Sequence, residues 1–332
     1  MLSINEAYVD QDPILTRLAQ GYSMPSNRIA NFVAPVVPVA TREGRVLRFG
    51  KEAFATGDYK RAYGTNIKAV QSRYDSVAYA LEQETLAYEL PVEVIENAGE
   101  GPAQVDLRSM EMKNLLSRLT NSYEVEVATA ITTSGSYETD CYAATFGALS
   151  TAATGIDGAD GIAGTIEISR LVSDQIGQRP NSAVIGSAVY DALLTSSSIL
   201  ERIKYTSADS INLDIIARYF GLSRGIRVAD GRTLDTSTGK LLPYFPENAV
   251  VFFYSPTAVN QSIMPDMGNN MGTAAFAYTY QLNNTPFVTP EYLVKERRVV
   301  RAEVTVERKV FLTGLGATGK IGSAFYVADA LS

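Results

Sequence analysis

The chain has 332 residues, 46% of them apolar, 20% charged and 9% aromatic, the proportions of an ordered globular protein rather than a disordered or fibrous one. Its 36 acidic and 29 basic residues leave a formal charge of −7 with no Lys/Arg stripe, which argues against a protein that grips nucleic acid through its phosphates. The absence of histidine, with Cys141 as the single cysteine, removes Ser-His-Asp and Cys-His nucleophile arrangements, four-ligand N/S zinc sites and any disulfide within the chain.

Carboxylate-only or Ser-Lys chemistry remains formally open, but the expectation is that the chain is not an enzyme. A lone cysteine fits synthesis in a reducing cytoplasm. No apolar run approaches the roughly 20 residues needed to span a bilayer. The stretch from Met1 to Asn5 and onward lacks the basic start, apolar core and cleavage site of a secretory signal.

Residues 1–40 read as an arm. Ile14, Leu15, Leu18 and Ala19 form a short helical pattern stopped by Gly21, and Asn31 to Val39 follows with Pro35 and Pro38 in a β-branched run. Proline there favours an extended, edge-like path. Residues 41–80 read as a projecting two-stranded hairpin, with Glu43-Gly44 as a turn, Arg45 to Phe49 as one strand and Val70 to Leu81 as the return. Between them lies a basic stretch with Lys51, Lys60, Lys68, Gly50, Gly57 and Gly64. An isolated hairpin is marginal in water, so this one is expected to pack on something else.

Residues 81–178 contain the clearest helix, from Asp106 to about Thr133. Met112, Leu115, Leu116, Leu119, Tyr123, Val127, Ala130 and Ile131 recur along one face, with Glu111, Arg118 and Glu124 off it. It would make a rod of roughly 40 Å. After the glycine-rich loop Gly155 to Gly161, Thr165 is the expected cap of a helix ending at Gly177.

Residues 179–285 alternate between helix and strand. Strands are expected at Ala183 to Ile185, Ile226 to Val228 and Ala249 to Tyr254, the last buried on both faces. Helices are expected after a Ser187 cap and from Ile211 to Phe220. Residues 286–332 hold a long alternating strand, with Val300, Ala302, Val304, Val306 and Val310 on one face and Arg301, Glu303, Thr305, Glu307 and Lys309 on the other. Arg308 breaks the alternation, and Tyr292 to Val299 is expected to lead in continuously. Helix and strand of similar length predict an elongated two-layer platform.

In this order the segments resemble the major capsid proteins of tailed double-stranded-DNA bacteriophages, the Hong Kong 97-type family. Asn31 to Val39, Gly44 and Arg48 to Glu52 are similar to the family's passage from N-terminal arm to extended loop. Arg179 to Gly186, Val189 to Leu193 and Ile199 to Tyr205 are similar to the entry of its axial domain. The resemblance covers nearly the whole chain and rests on packing and turn patterns rather than on one motif. It implies an α+β fold with an N-arm (1–40), an extended-loop hairpin (41–80), a peripheral domain (81–178 and 286–332) with spine helix and long strand, and an α/β axial domain (179–285).

It also implies self-assembly into pentamers and hexamers of an icosahedral shell around packaged DNA, with the DNA touched only weakly and non-specifically. The location would be the virion, after assembly in the host bacterial cytoplasm. A portal protein is an expected partner, separate scaffolding and cement proteins are further candidates, and no membrane is involved. Because the arm pattern begins near Met1, assembly is expected to proceed without removal of an N-terminal segment. The alternative of the same fold class is an encapsulin-type cellular compartment. No catalytic, cofactor-binding or metal-binding residues are assigned.

Several motifs invite chemistry and are set aside on physical grounds. Gly314 to Lys320 matches the spacing of dinucleotide and phosphate-binding loops, but Ile321 stands where a Ser or Thr hydroxyl must meet magnesium, and too little chain follows for a βαβ unit. That leaves a nucleotide-binding enzyme as the weakest alternative. Asp157 and Asp160 lack EF-hand spacing, and Cys141 has no basic neighbour in sequence to activate it. Lys51, Lys60 and Lys68 read as solvated residues rather than cross-linking ones.

Overall fold

The computed structural model describes residues 13–20, 28–49, 57, 60–61, 63, 74–97, 102–150, 154–203, 212–255, 275–283, 285–313 and 320–332. The arm supplies α1 (Pro13–Gln20), the single-turn α2 (Ala30–Val33) and β1 (Val36–Val39). The hairpin follows as β2 (Glu43–Phe49) and β3 (Tyr74–Ala80), then β4 (Glu82–Pro91), α3 (Val92–Asn97) and the 31-residue α4 (Pro102–Thr132). The middle of the chain runs through β5 (Tyr142–Thr145), α5 (Gly161–Ile176), β6 (Ser182–Gly186), α6 (Ser187–Thr195), α7 (Ser197–Ile203), α8 (Leu213–Tyr219), β7 (Gly225–Ala229), β8 (Arg232–Leu234), β9 (Leu241–Pro243) and β10 (Val250–Phe253). The last elements are β11 (Ala277–Leu282), β12 (Phe287–Val288), β13 (Tyr292–Val294), β14 (Val299–Leu312) and β15 (Ala324–Asp329).

Two sheets organise these elements. In the first, β14 is the hub: it pairs antiparallel with β4, β11, β12 and β13, and β1 closes the edge by pairing parallel with β11. The edge position explains how β1 tolerates Pro38. At 14 residues, β14 extends about 46 Å, the same span as the 31-residue α4. Met112, Leu115, Leu116 and Leu119 of α4 pack onto Ala302, Val304 and Val306 of β14 and Tyr88 and Leu90 of β4. This is the expected two-layer platform.

The second sheet has the order β5-β15-β10-β6-β7, with β10 central and all four of its residues buried. Two of its strands, β5 and β15, lie outside residues 179–285 in sequence, while β11, within that range, joins the first sheet. The C-terminal half of α4 enters this second core through Tyr123, Val127, Ala128 and Ile131. One helix therefore serves both cores.

The structure corrects several local expectations. Glu43-Gly44 is not a turn but the start of β2, where Gly44 pairs with Tyr79. A Cβ on Gly44 would lie 2.6 Å from that ring, so the glycine makes room for an aromatic side chain rather than for a bend. The spine helix begins at Pro102, not Asp106, since proline suits a first helical turn. Asn31 to Val33 is helical rather than extended, with the amides of Phe32 and Val33 bonded to the Ile29 carbonyl.

Further along, Thr165 lies inside α5, which starts at Gly161, and its hydroxyl donates to the Ile162 carbonyl at 2.9 Å. Gly186 rather than Ser187 precedes α6, and the helix expected from Ile211 is capped by Asn212, whose side chain accepts from the Ile215 amide at 2.9 Å. The expected lead-in from Tyr292 is a separate strand: β13 folds back on β14 through a turn in which Arg298 has φ 52°.

Candidate functional site

Protruding surfaces and their anchorages dominate the features that point outward. Among the described residues β2 and β3 pair only with each other, over seven registered residue pairs. Their root is firmly built. Arg42 donates to Glu307 of β14 through Nε at 2.7 Å and Nη2 at 2.9 Å, and the Glu307 side chain is 3% exposed. Tyr79 stacks on Tyr280 with centroids 5.0 Å apart, and the Leu81 amide donates to the Arg42 carbonyl at 2.9 Å. Tyr63, between the two strands in sequence, is fully exposed. Residues 50–56 and 64–73, including Gly50, Lys51, Gly64 and Lys68, lie outside the described residues.

The β4–β14 ladder carries paired charges, Glu82 with Lys309, Glu84 with Arg308 and Glu89 with Arg301, and Glu89 also meets Arg297 of the turn before β14. Exposed pairs of this kind contribute at most about 1 kcal/mol each, so their value is in fixing register rather than in stability. Arg308, the break in the alternation, is the buried one. It turns toward α4, donates to the Leu119 carbonyl at 3.0 Å and lies 4.7 Å over the Tyr123 ring.

Apolar side chains are exposed in two groups. Leu234 and Leu241 face each other across the β8–β9 hairpin, with Leu242 beside them. Tyr292 and Leu293 are exposed on β13, and Val94 is exposed on α3. Exposed apolar groups of this kind suit contact with another protein surface.

The arm is seated on α4 by consecutive residues. Glu124, fully buried, accepts the Ile29 amide at 3.0 Å and the Ala30 amide at 3.2 Å. Tyr123 donates to the Ala34 carbonyl at 3.1 Å and shares a 2.5 Å hydrogen bond with the Thr279 hydroxyl. Burial drives the Glu124 carboxyl above its ordinary range, opposed by the two amides and by the charge of Arg28. Burial likewise raises the Tyr123 phenol. Sequence reading placed Glu124 off the buried stripe; in fact it faces the core.

The motifs that invited chemistry have structural surroundings. Gly314 to Gly319 lies outside the described residues, but Ile321 is buried, bridges to Tyr137 and exchanges backbone hydrogen bonds with Ser136 and Glu138. The Asp157 carbonyl accepts from the Ser196 hydroxyl at 2.6 Å, and the Asp160 carbonyl accepts the Gly164 amide at 2.9 Å. Cys141 is buried with its thiol 3.8 Å from the Gly322 carbonyl, and Lys60 is exposed. No three potential metal ligands cluster among the described residues. A shallow cleft of about 660 Å³ beside α6 mixes Asp191, Arg227, Asp230 and Arg232 without a convergent set of groups.

No protein-family model matches the chain. Over 224 residues it is 28% identical to the major capsid protein of Burkholderia phage BcepMu, a match covering 63% of this chain and 66%, just under two thirds, of that relative. A phage-related protein from Bordetella bronchiseptica RB50 has a solved structure with TM-score 0.72 and 24% identity, covering 97% of this chain and 98% of its own. The capsid structure of cyanophage P-SCSP1u gives TM-score 0.53 at 11% identity, covering 100% and 96%. The α+β fold is that of phage capsid subunits.

Proposed function

We propose that this chain, with the Hong Kong 97-type fold, is a phage major capsid protein that assembles with copies of itself into the pentamers and hexamers of an icosahedral shell around double-stranded DNA. The observation that carries this reading is the hairpin β2–β3: its root is locked by Arg42–Glu307 and Tyr79–Tyr280, yet its two strands pair with no other sheet among the described residues. A lone two-stranded ribbon is marginal in water, so a rigidly aimed one implies a surface on which it lies. Neighbouring copies supply that surface, and many modest contacts of this kind add up through multivalency.

The role is structural rather than catalytic, and the place of action is the virion, after assembly in the host cytoplasm. Segments 1–40, 41–80, 81–178 with 286–332, and 179–285 supply most of the arm, extended loop, peripheral and axial parts, with β5 and β15 joining the axial sheet and β11 the peripheral one. A portal closes one vertex, scaffolding and cement proteins are further partners, and the acidic balance of the chain leaves DNA contained rather than gripped. The phage relative favours a genome over enzyme cargo as contents, against the cellular-compartment alternative. Negative-stain electron microscopy of the full-length protein tests the reading. Closed polyhedra or ring-shaped oligomers are expected, and a monodisperse monomer at high concentration would overturn it.

A further inference from the structure

The arm segment from Ile29 to Val39 touches three bodies in succession. Ile29, Ala30, Val33 and Ala34 are buried in the core of the five-stranded sheet, while Val37 and Val39 pack with Tyr79 and Tyr280 at the hairpin root. Four residues are too few to hold a helix by themselves. What holds α2 is the set of side chains around it. Glu124 takes its leading amides, and Tyr123 gives to the Ala34 carbonyl at 3.1 Å while the Thr279 hydroxyl gives to Tyr123. Arg224 donates to the Phe32 carbonyl at 2.8 Å while its guanidinium lies 4.7 Å from the Phe32 ring, whose edge meets Phe253.

We propose that α2 is a strap that ties the five-stranded sheet and the spine helix to the hairpin root, and that the Glu124 side chain is the positioning residue that fastens it. The connection is short: from the Glu124 seat, the chain passes through Ala34 and β1 directly to the packing of Val37 and Val39 on Tyr79. Loosening the seat therefore loosens the base from which the hairpin projects. Glu124 acts by its shape and acceptor oxygens more than by its charge, since Oε2 reaches both the Ile29 and Ala30 amides, with Oε1 a second acceptor for Ala30 at 3.2 Å. A neutral side chain with one such oxygen keeps the strap closed. The groups facing Glu124 from neighbouring elements are Arg28 of the arm and Tyr244, which follows β9. These contacts are all within one chain, so the proposal stands or falls independently of assembly.

Amide hydrogen exchange on the full-length protein tests it, comparing wild type with E124A, E124Q and Y123F. E124A is expected to speed exchange across residues 28–39 by on the order of tenfold, the scale for losing a buried hydrogen bond. It should also speed residues 78–81 and leave 107–119 of the spine helix unchanged. E124Q should keep nearly wild-type protection. Y123F, which removes only a hydroxyl, should loosen the same segments by a smaller factor and covers the case in which E124A fails to fold. Unchanged exchange at 28–39 in both E124A and Y123F, a loosening that never reaches 78–81, or an E124Q as damaged as E124A would overturn the proposal.

Discussion

Arg42 and Glu307 meet across 265 residues of sequence in a two-pronged ion pair that fixes where the hairpin leaves the body of the molecule. The Glu307 carboxylate is almost wholly buried, whereas half of the Arg42 side chain faces solvent. The pair is therefore asymmetric: losing Arg42 strands a buried charge, and losing Glu307 leaves a half-exposed arginine that water can serve.

From this asymmetry, Arg42→Ala is expected to cost about 2 kcal/mol of stability and Glu307→Ala less. Arg42→Lys should recover only part of the loss, because an ammonium cannot make both contacts of the fork. Urea unfolding of the three variants checks the order, and equal losses for Arg42→Ala and Glu307→Ala would contradict it.

Glu124 sets a pH dependence. Burial raises its carboxyl above the ordinary 4.5, so the folded chain holds the proton more tightly than the unfolded one. The stabilising effect of that proton is complete below about 4.5 and is lost as pH rises through the higher folded-state value. Glu124→Gln mimics the protonated form. It should melt above wild type at neutral pH, and the gap should close as pH falls below the ordinary carboxylate range; a gap independent of pH would refute the assignment.

Leu116 and Met110 lie on the same helix and differ in burial, 4% against 54% exposed. Leu116→Ala is expected to cost about 2–5 kcal/mol through the cavity it leaves between α4 and the long strand. Met110→Ala should stay within about 0.5 kcal/mol. Chemical denaturation distinguishes the two, and comparable losses would mean that the platform packs otherwise.

Leu234 and Leu241 are 57% and 61% exposed on facing positions of the β8–β9 hairpin. If copies of the chain meet there, L234S/L241S should leave the melting temperature within a few degrees of wild type while sharply reducing the yield of assembled particles by sedimentation. Normal particle yield would remove this hairpin from the contact surfaces.

Much of this architecture could be seen in the residues. The spine helix and the long strand to Leu312 declare themselves because apolar residues recur with a helix or strand period, the central strand from Val250 because its apolar run is unbroken, and the hairpin because two strands flank a polar stretch. What stayed hidden depends on partners far away in sequence. Gly44 looks like a turn residue until Tyr79 is brought across it, and α2 is helical because Glu124, 94 residues beyond Ala30, accepts its amide. Glu124 did carry a signal. It sits four residues before Ala128 and three before Val127, squarely on the apolar face, and only its charge argued for water. The exposed leucines of β8–β9 carried none, since three apolar residues near a turn look the same whether covered or bare.

The continuity of α4 has a thermodynamic consequence. Its first half closes the core over the long strand and its second half closes the core over the five-stranded sheet, with no break between them. Fraying from either end withdraws apolar side chains from one region while the hydrogen-bonded ladder of the helix carries the disturbance toward the other. The regions should thus melt as one cooperative unit, giving a single calorimetric peak whose van't Hoff and measured enthalpies agree. A proline at Ser117, midway along the rod, should split that peak in two.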